Sequence, residues 1–143
     1  MRFPPDLSPE RRDLLTRLAR RNEAEHGANL LGVVLSGSAG RGMETERSDL
    51  DVFVVLCDTG EHGPRTSRSA AVDETVVAIA DLEQVPPFGS NGWWFRWSFA
   101  WAPVLFDRTE GRLASAVRRP QERPRRASTG MPSRRRRVDA VAP

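Results

Sequence analysis

Two neighbouring stretches carry residue types that could do chemistry together. They are Leu35-Ser36-Gly37-Ser38-Ala39-Gly40-Arg41-Gly42 and, six residues further on, Ser48-Asp49-Leu50-Asp51-Val52-Phe53-Val54-Val55. In an extended strand, residues two apart share a face. Asp49 and Asp51 therefore project together, while Leu50 and Val52 turn toward a core. Adjacent carboxylates repel unless a cation sits between them. Mg²⁺ suits such a pair, because it takes a few carboxylate oxygens and fills its remaining positions with water and phosphate. Upstream, Gly37 and Gly40 let backbone N–H groups approach an anion, and Ser38 adds a hydroxyl donor. Arg41 adds a cationic fork for phosphate. These pieces read as a metal–triphosphate site. An isolated Asp-x-Asp would read as an exposed strand end; the glycine–serine turn before it changes that reading.

Other glycine motifs fail by position. Gly37 and Gly42 have the spacing of a phosphate-binding P-loop, but Met43 stands where that loop needs lysine. The dinucleotide pattern needs glycine at 39, where the chain has Ala39. A nucleophile elbow centred on Ser38 needs glycine at 36, where the chain has Ser36.

The elements that must hold these residues follow from local pattern. Ser8-Pro9-Glu10 is a helix start, with serine as N-cap and proline at the first helical position. Leu14, Leu15, Leu18 and Ala19 form its apolar stripe, and Gly27 stops it. Leu30–Leu35 is a short apolar run that predicts a buried strand. Leu50–Leu56 predicts a second strand and ends at Cys57, expected as an inert buried thiol. Residues 58–71 read as a polar loop, and Thr75–Ala80 as a third strand. Trp93, Trp94, Trp97 and Trp101, with Phe95 and Phe99 between them, predict a short aromatic helix ended by Pro103. Val104–Phe106 predicts a fourth strand, and Gly111–Val117 a last helix. The expected fold class is α/β (α+β), a small mixed sheet of about four strands with helices mainly on one face.

Composition narrows the function classes. The chain has 143 residues, 38% of them hydrophobic and 29% charged, enough for one packed domain. No apolar run approaches the length of a bilayer crossing and no secretory signal is visible, so the expected location is cytoplasmic. One cysteine excludes an internal disulfide, and two histidines with one cysteine are too few for a structural zinc site. All 22 basic residues are arginine. Residues 1–117 carry a net charge of −4 and residues 118–143 a net of +7. The body thus lacks a nucleic-acid footprint, and nucleic acid is not an expected partner. The 118–143 segment has dense arginine, prolines and no apolar periodicity. It reads as a disordered tail, a nucleic-acid arm or the product of a frameshift or truncation. The tryptophans are expected as core and interface surface, with a protein partner docking on any face left over.

The combination of GSAGRG with SDLDVFVV resembles the signature of the DNA polymerase β-like nucleotidyltransferase superfamily. It is closest in look to small bacterial domains of the aminoglycoside and minimal nucleotidyltransferase kind. The resemblance covers roughly residues 12–117, which places a nucleotidyltransferase domain at 1–117 and the tail at 118–143. It implies Mg²⁺-dependent transfer of a nucleoside monophosphate from a nucleoside triphosphate, ATP as donor, to the hydroxyl of a small-molecule acceptor such as an aminoglycoside-like alcohol. By the resemblance, Gly37, Ser38 and Arg41 bind nucleotide, and Asp49 and Asp51 hold metal. A third carboxylate on a later strand completes the catalytic set. Asp73 is the preferred residue, and Glu74, of opposite strand parity, is the other candidate. The rival reading is a catalytically incompetent nucleotide-binding or partner-docking remnant of a longer enzyme.

Overall fold

The computed structural model describes residues 1–37, 50–69 and 71–121. Helix α1 spans Pro9–His26; Ser8 caps it, its Oγ accepting from the Arg11 N–H at 3.3 Å. Strands β1 (Leu30–Ser36), β2 (Leu50–Leu56), β3 (Arg65–Arg68), β4 (Val72–Ala78) and β5 (Val104–Asp107) form one mixed sheet in the order β3-β4-β2-β1-β5. β2 and β4 run parallel, and the other neighbours are antiparallel. Helices α2 (Ile79–Glu83), α3 (Asn91–Ser98) and α4 (Arg112–Arg118) follow, with short 3-10 turns at Gly27–Asn29, Gly60–His62 and Arg119–Gln121. No described helix is long and apolar enough to cross a membrane.

Strand parity sorts the core into two layers. Val33, Leu35, Val52, Val54, Val72 and Val76 pack with Leu15, Leu18 and Ala19 of α1. Val34, Val55 and Val77 pack on the other side with Ile79, Leu82, Phe99, Leu113 and Val117. Both faces of β1 and β2 are buried, which is why these strands read as near-continuous apolar runs. Three short helices share one face, and α1, the longest, covers the opposite one. The expectation of helices mainly on one face is thus incomplete, because β1 and β2 are apolar on both sides. On the three-helix face Gly32 is obligatory: a Cβ there would overlap Leu113 Cδ2 and the Phe106 carbonyl oxygen.

Several expectations shift. Part of the 58–71 loop is the edge strand β3, whose four residues are all exposed. An edge strand with no buried side leaves no alternation to read. Its pairing with β4 includes a hydroxyl–hydroxyl hydrogen bond of 3.1 Å between Thr66 and Thr75. β4 begins at Val72, three residues before the expected start. Cys57 is exposed rather than buried, because it lies one residue past the end of β2. The fold also continues four residues beyond the expected boundary at 117. Pro120 is buried, and the Gln121 side-chain amide donates to the Ala100 carbonyl at 2.7 Å. The expected tail otherwise lies outside the described residues.

Candidate functional site

The site is built where the three-helix layer leaves the sheet uncovered. Ser36 is the last residue of β1 and pairs in register with Asp51 of β2. Asp51 in turn pairs with Asp73 of β4. Residues in register on adjacent strands present their side chains to one face, so Asp51 and Asp73 stand side by side, about 4.8 Å apart from strand to strand. Both are half-buried. The Ser36 hydroxyl donates to the Asp51 carbonyl at 3.2 Å, tying the end of β1 to the start of β2.

Gly37 follows Ser36 with φ 72°, the left-handed region that glycine adopts without strain. A Cβ there would run into the Asp51 carboxylate, lying 3.2 Å from its Cγ. Gly37 is therefore glycine for two independent reasons, and the second places bare backbone against an acid. Ser38, Arg41 and Asp49 lie outside the described residues.

The two adjacent acids on β4 part company. Asp73 shares the face of Asp51 and lines a cleft of about 310 Å³ with Ser36, Gly37, Thr75 and Phe95. Glu74 turns to the α1 side, where it accepts from the Asn22 amide at 3.0 Å and pairs with Arg21. Its carboxylate is committed to packing α1 on the sheet. Of the two candidates, only Asp73 is brought beside Asp51.

The donor chemistry of this pair fits Mg²⁺. Two hard carboxylates on one open face leave the remaining coordination positions to water and phosphate oxygens. Among the described residues no group of three His, Cys, Asp or Glu gathers as a metal cage. That excludes a dedicated all-protein cage only from the described region, which does not contain Asp49.

Sequence reading missed the cleft's other wall. Phe95, Ser98 and Phe99 come from α3 and its end, with Phe53 from β2 beneath them. Phe53 and Phe99 pack tilted at 37° with centroids 4.8 Å apart, and Phe99 meets Phe95 edge-on at 5.4 Å. Phe53 and Thr75 were findable, since each stands two residues after a site acid and so shares its face. The α3 wall comes from tertiary packing alone.

Arg96 anchors that wall. It is buried with no carboxylate partner among the described residues, and its Nη2 donates to the carbonyls of Leu82 (2.8 Å) and Ala116 (2.7 Å). These are carbonyls in the last turns of α2 and α4, where a cation is favoured. Burial, helped by repulsion from Arg119, pushes its pKa down to about 10. The exposed aromatics Trp94, Trp97 and Trp101 lie along and just beyond the same helix.

Among the described residues, larger concavities lie elsewhere. One of about 690 Å³ borders Arg2, Trp101 and Asp107, and another of about 490 Å³ lies between α1 and β3. Neither brings two carboxylates together, so the smaller cleft is the stronger candidate for chemistry on phosphates. The chain matches no protein-family model and no curated protein, so this assignment rests on its own residues.

Proposed function

We propose that the chain is a Mg²⁺-dependent nucleotidyltransferase with the polymerase β-like arrangement of strand, glycine turn, strand and later acid. It moves a nucleoside monophosphate from ATP to the hydroxyl of a small molecule. One observation carries the reading: Ser36, Asp51 and Asp73 stand in register on one open sheet face, with Gly37 backbone packed against the Asp51 carboxylate.

Each residue has a role in this reading. Gly37, Ser38 and Arg41 cradle the triphosphate with backbone N–H, hydroxyl and guanidinium donors. Asp49 and Asp51 hold Mg²⁺, which when bound offsets the charge of the phosphates and of the paired acids. Asp73 receives the proton of the acceptor hydroxyl as its oxygen attacks the α-phosphorus. The new bond is acceptor oxygen to phosphorus; the bond that breaks releases pyrophosphate. The half-buried cleft limits water, a competing nucleophile.

The test is calorimetric titration of ATP with and without Mg²⁺, followed by pyrophosphate release across a panel of hydroxyl acceptors. Metal-dependent binding with release supports the assignment. Binding with no release from any acceptor would make the chain a nucleotide-binding module, and no metal-dependent binding would remove the site.

A further inference from the structure

The edge strand β3 extends the polar row by one more residue. Arg68 pairs in register with Asp73, so Ser36, Asp51, Asp73 and Arg68 cross four adjacent strands in one line. Opposite residues of an antiparallel pair present their Cβ atoms to the same face. Side-chain contacts confirm the parity. Thr66, two residues before Arg68, bonds Thr75 on the cleft side. Arg65, of the other parity, approaches Glu25 of α1 at 3.9 Å on the opposite side. Arg68 is exposed and forms no ion pair with another described residue. Its side chain borders the concavity between α1 and β3, so engaging a ligand beside Asp73 takes a swing of this exposed side chain around the sheet edge.

We propose that Arg68 binds the acceptor, and that the acceptor carries an anionic group, phosphate or carboxylate, beside its reactive hydroxyl. The inference rests on the nucleotidyltransferase reading. In that reading the row has a direction. Its β1 end, at Gly37, holds the triphosphate, Asp51 lies next, and Asp73 receives the hydroxyl proton. Arg68 lies one strand beyond Asp73, on the side away from the triphosphate. A guanidinium there recognises a carboxylate or phosphate by paired N–H donors. It repels a polycationic acceptor, so an aminoglycoside is disfavoured.

Paired probes test this: glycerol 3-phosphate and glycerol, which share two hydroxyls and differ in whether the third position carries a phosphate. Each is titrated calorimetrically into the full chain saturated with Mg²⁺ and a non-hydrolysable ATP analogue. A charged hydrogen bond gives the wild type a preference of about 10- to 100-fold for glycerol 3-phosphate. Arg68→Ala erases that preference while keeping its affinity for the Mg-nucleotide, and Arg68→Lys restores part of it. The variants lie on an exposed edge, and a melting curve for each confirms the fold. No preference in the wild type, or a preference that survives Arg68→Ala, overturns the inference. Weakened nucleotide affinity in Arg68→Ala also overturns it, by moving Arg68 to the triphosphate side. A wild type that binds no Mg-nucleotide refutes the nucleotidyltransferase reading itself, and is seen before any acceptor is added.

Discussion

Replacing the two neighbouring acids of β4 one at a time should separate chemistry from stability. Glu74 accepts from the buried Asn22 amide at 3.0 Å and pairs with Arg21. Loss of a hydrogen bond to a charged group costs roughly 1.5–3 kcal/mol. The Arg21 side chain is 61% exposed, so that pair adds less than about 1 kcal/mol. Glu74→Ala should therefore lose about 2–3 kcal/mol, lowering Tm by roughly 6–10 °C in a domain of this size. Its turnover, measured well below Tm, should stay near wild type. Asp73 makes no ion pair with a described residue, and it faces Asp51 in register. Asp73→Asn should stay within about 0.5 kcal/mol of wild type, with any gain coming from relieved repulsion. Its turnover should fall by about 10²–10⁴, as loss of a general base does. Thermal melts and pyrophosphate release on both variants decide the matter. If Glu74→Ala loses turnover while Asp73→Asn keeps it, the face assignment of the site is wrong.

Four more expectations follow from named contacts. Gly37→Ala would set a Cβ against the Asp51 carboxylate at a φ of 72°; it should cost about 1 kcal/mol of backbone strain and abolish the metal-dependent nucleotide response in calorimetry. Gly32→Ala, which would overlap Leu113 and the Phe106 carbonyl, should lose roughly 1–3 kcal/mol by denaturant titration without altering ligand affinity at temperatures where it is folded. Arg96→Ala should lose about 3 kcal/mol through a cavity and the lost hydrogen bonds to the Leu82 and Ala116 carbonyls, while Arg96→Met, which fills the space without a buried charge, should recover most of it. Glu83 is held below the usual glutamate range of 4.5, first by its hydrogen bond from Arg112; the stability it contributes is present above pH 4.5 and fades as pH falls below it, and Glu83→Gln should flatten that part of the acid-denaturation curve.

The apolar runs and the α1 cap were legible in the sequence because each signal is local. Leu30–Leu35 and Leu50–Leu56 are bounded apolar stretches, and Ser8-Pro9-Glu10 is a helix start in three residues. The choice between Asp73 and Glu74 was not legible. Parity says that they face opposite ways, but only the parallel register of β4 on β2 says which face Asp51 shares. The edge strand was invisible because Arg65–Arg68 buries nothing, and Arg68 was hidden with it. The burial of Arg96 has no local signal, because it follows from the meeting of two helix ends that lie 14 and 20 residues from it in sequence. Phe95 lines the cleft through tertiary contact alone: it meets Phe99 edge-on, and Phe99 lies against Phe53 of β2.

The central claim is that Asp51 belongs to a metal-dependent nucleotide site. The direct measurement is the shift in melting temperature produced by Mg²⁺ and ATP, together and separately, on the wild type and on Asp51→Asn. At a ligand concentration 100 times Kd the wild type should gain about 2.7 kcal/mol, and only when both components are present. Asp51→Asn, compared with its own unliganded melt, should show no such gain. An equal gain in Asp51→Asn, or none in the wild type, would contradict the account.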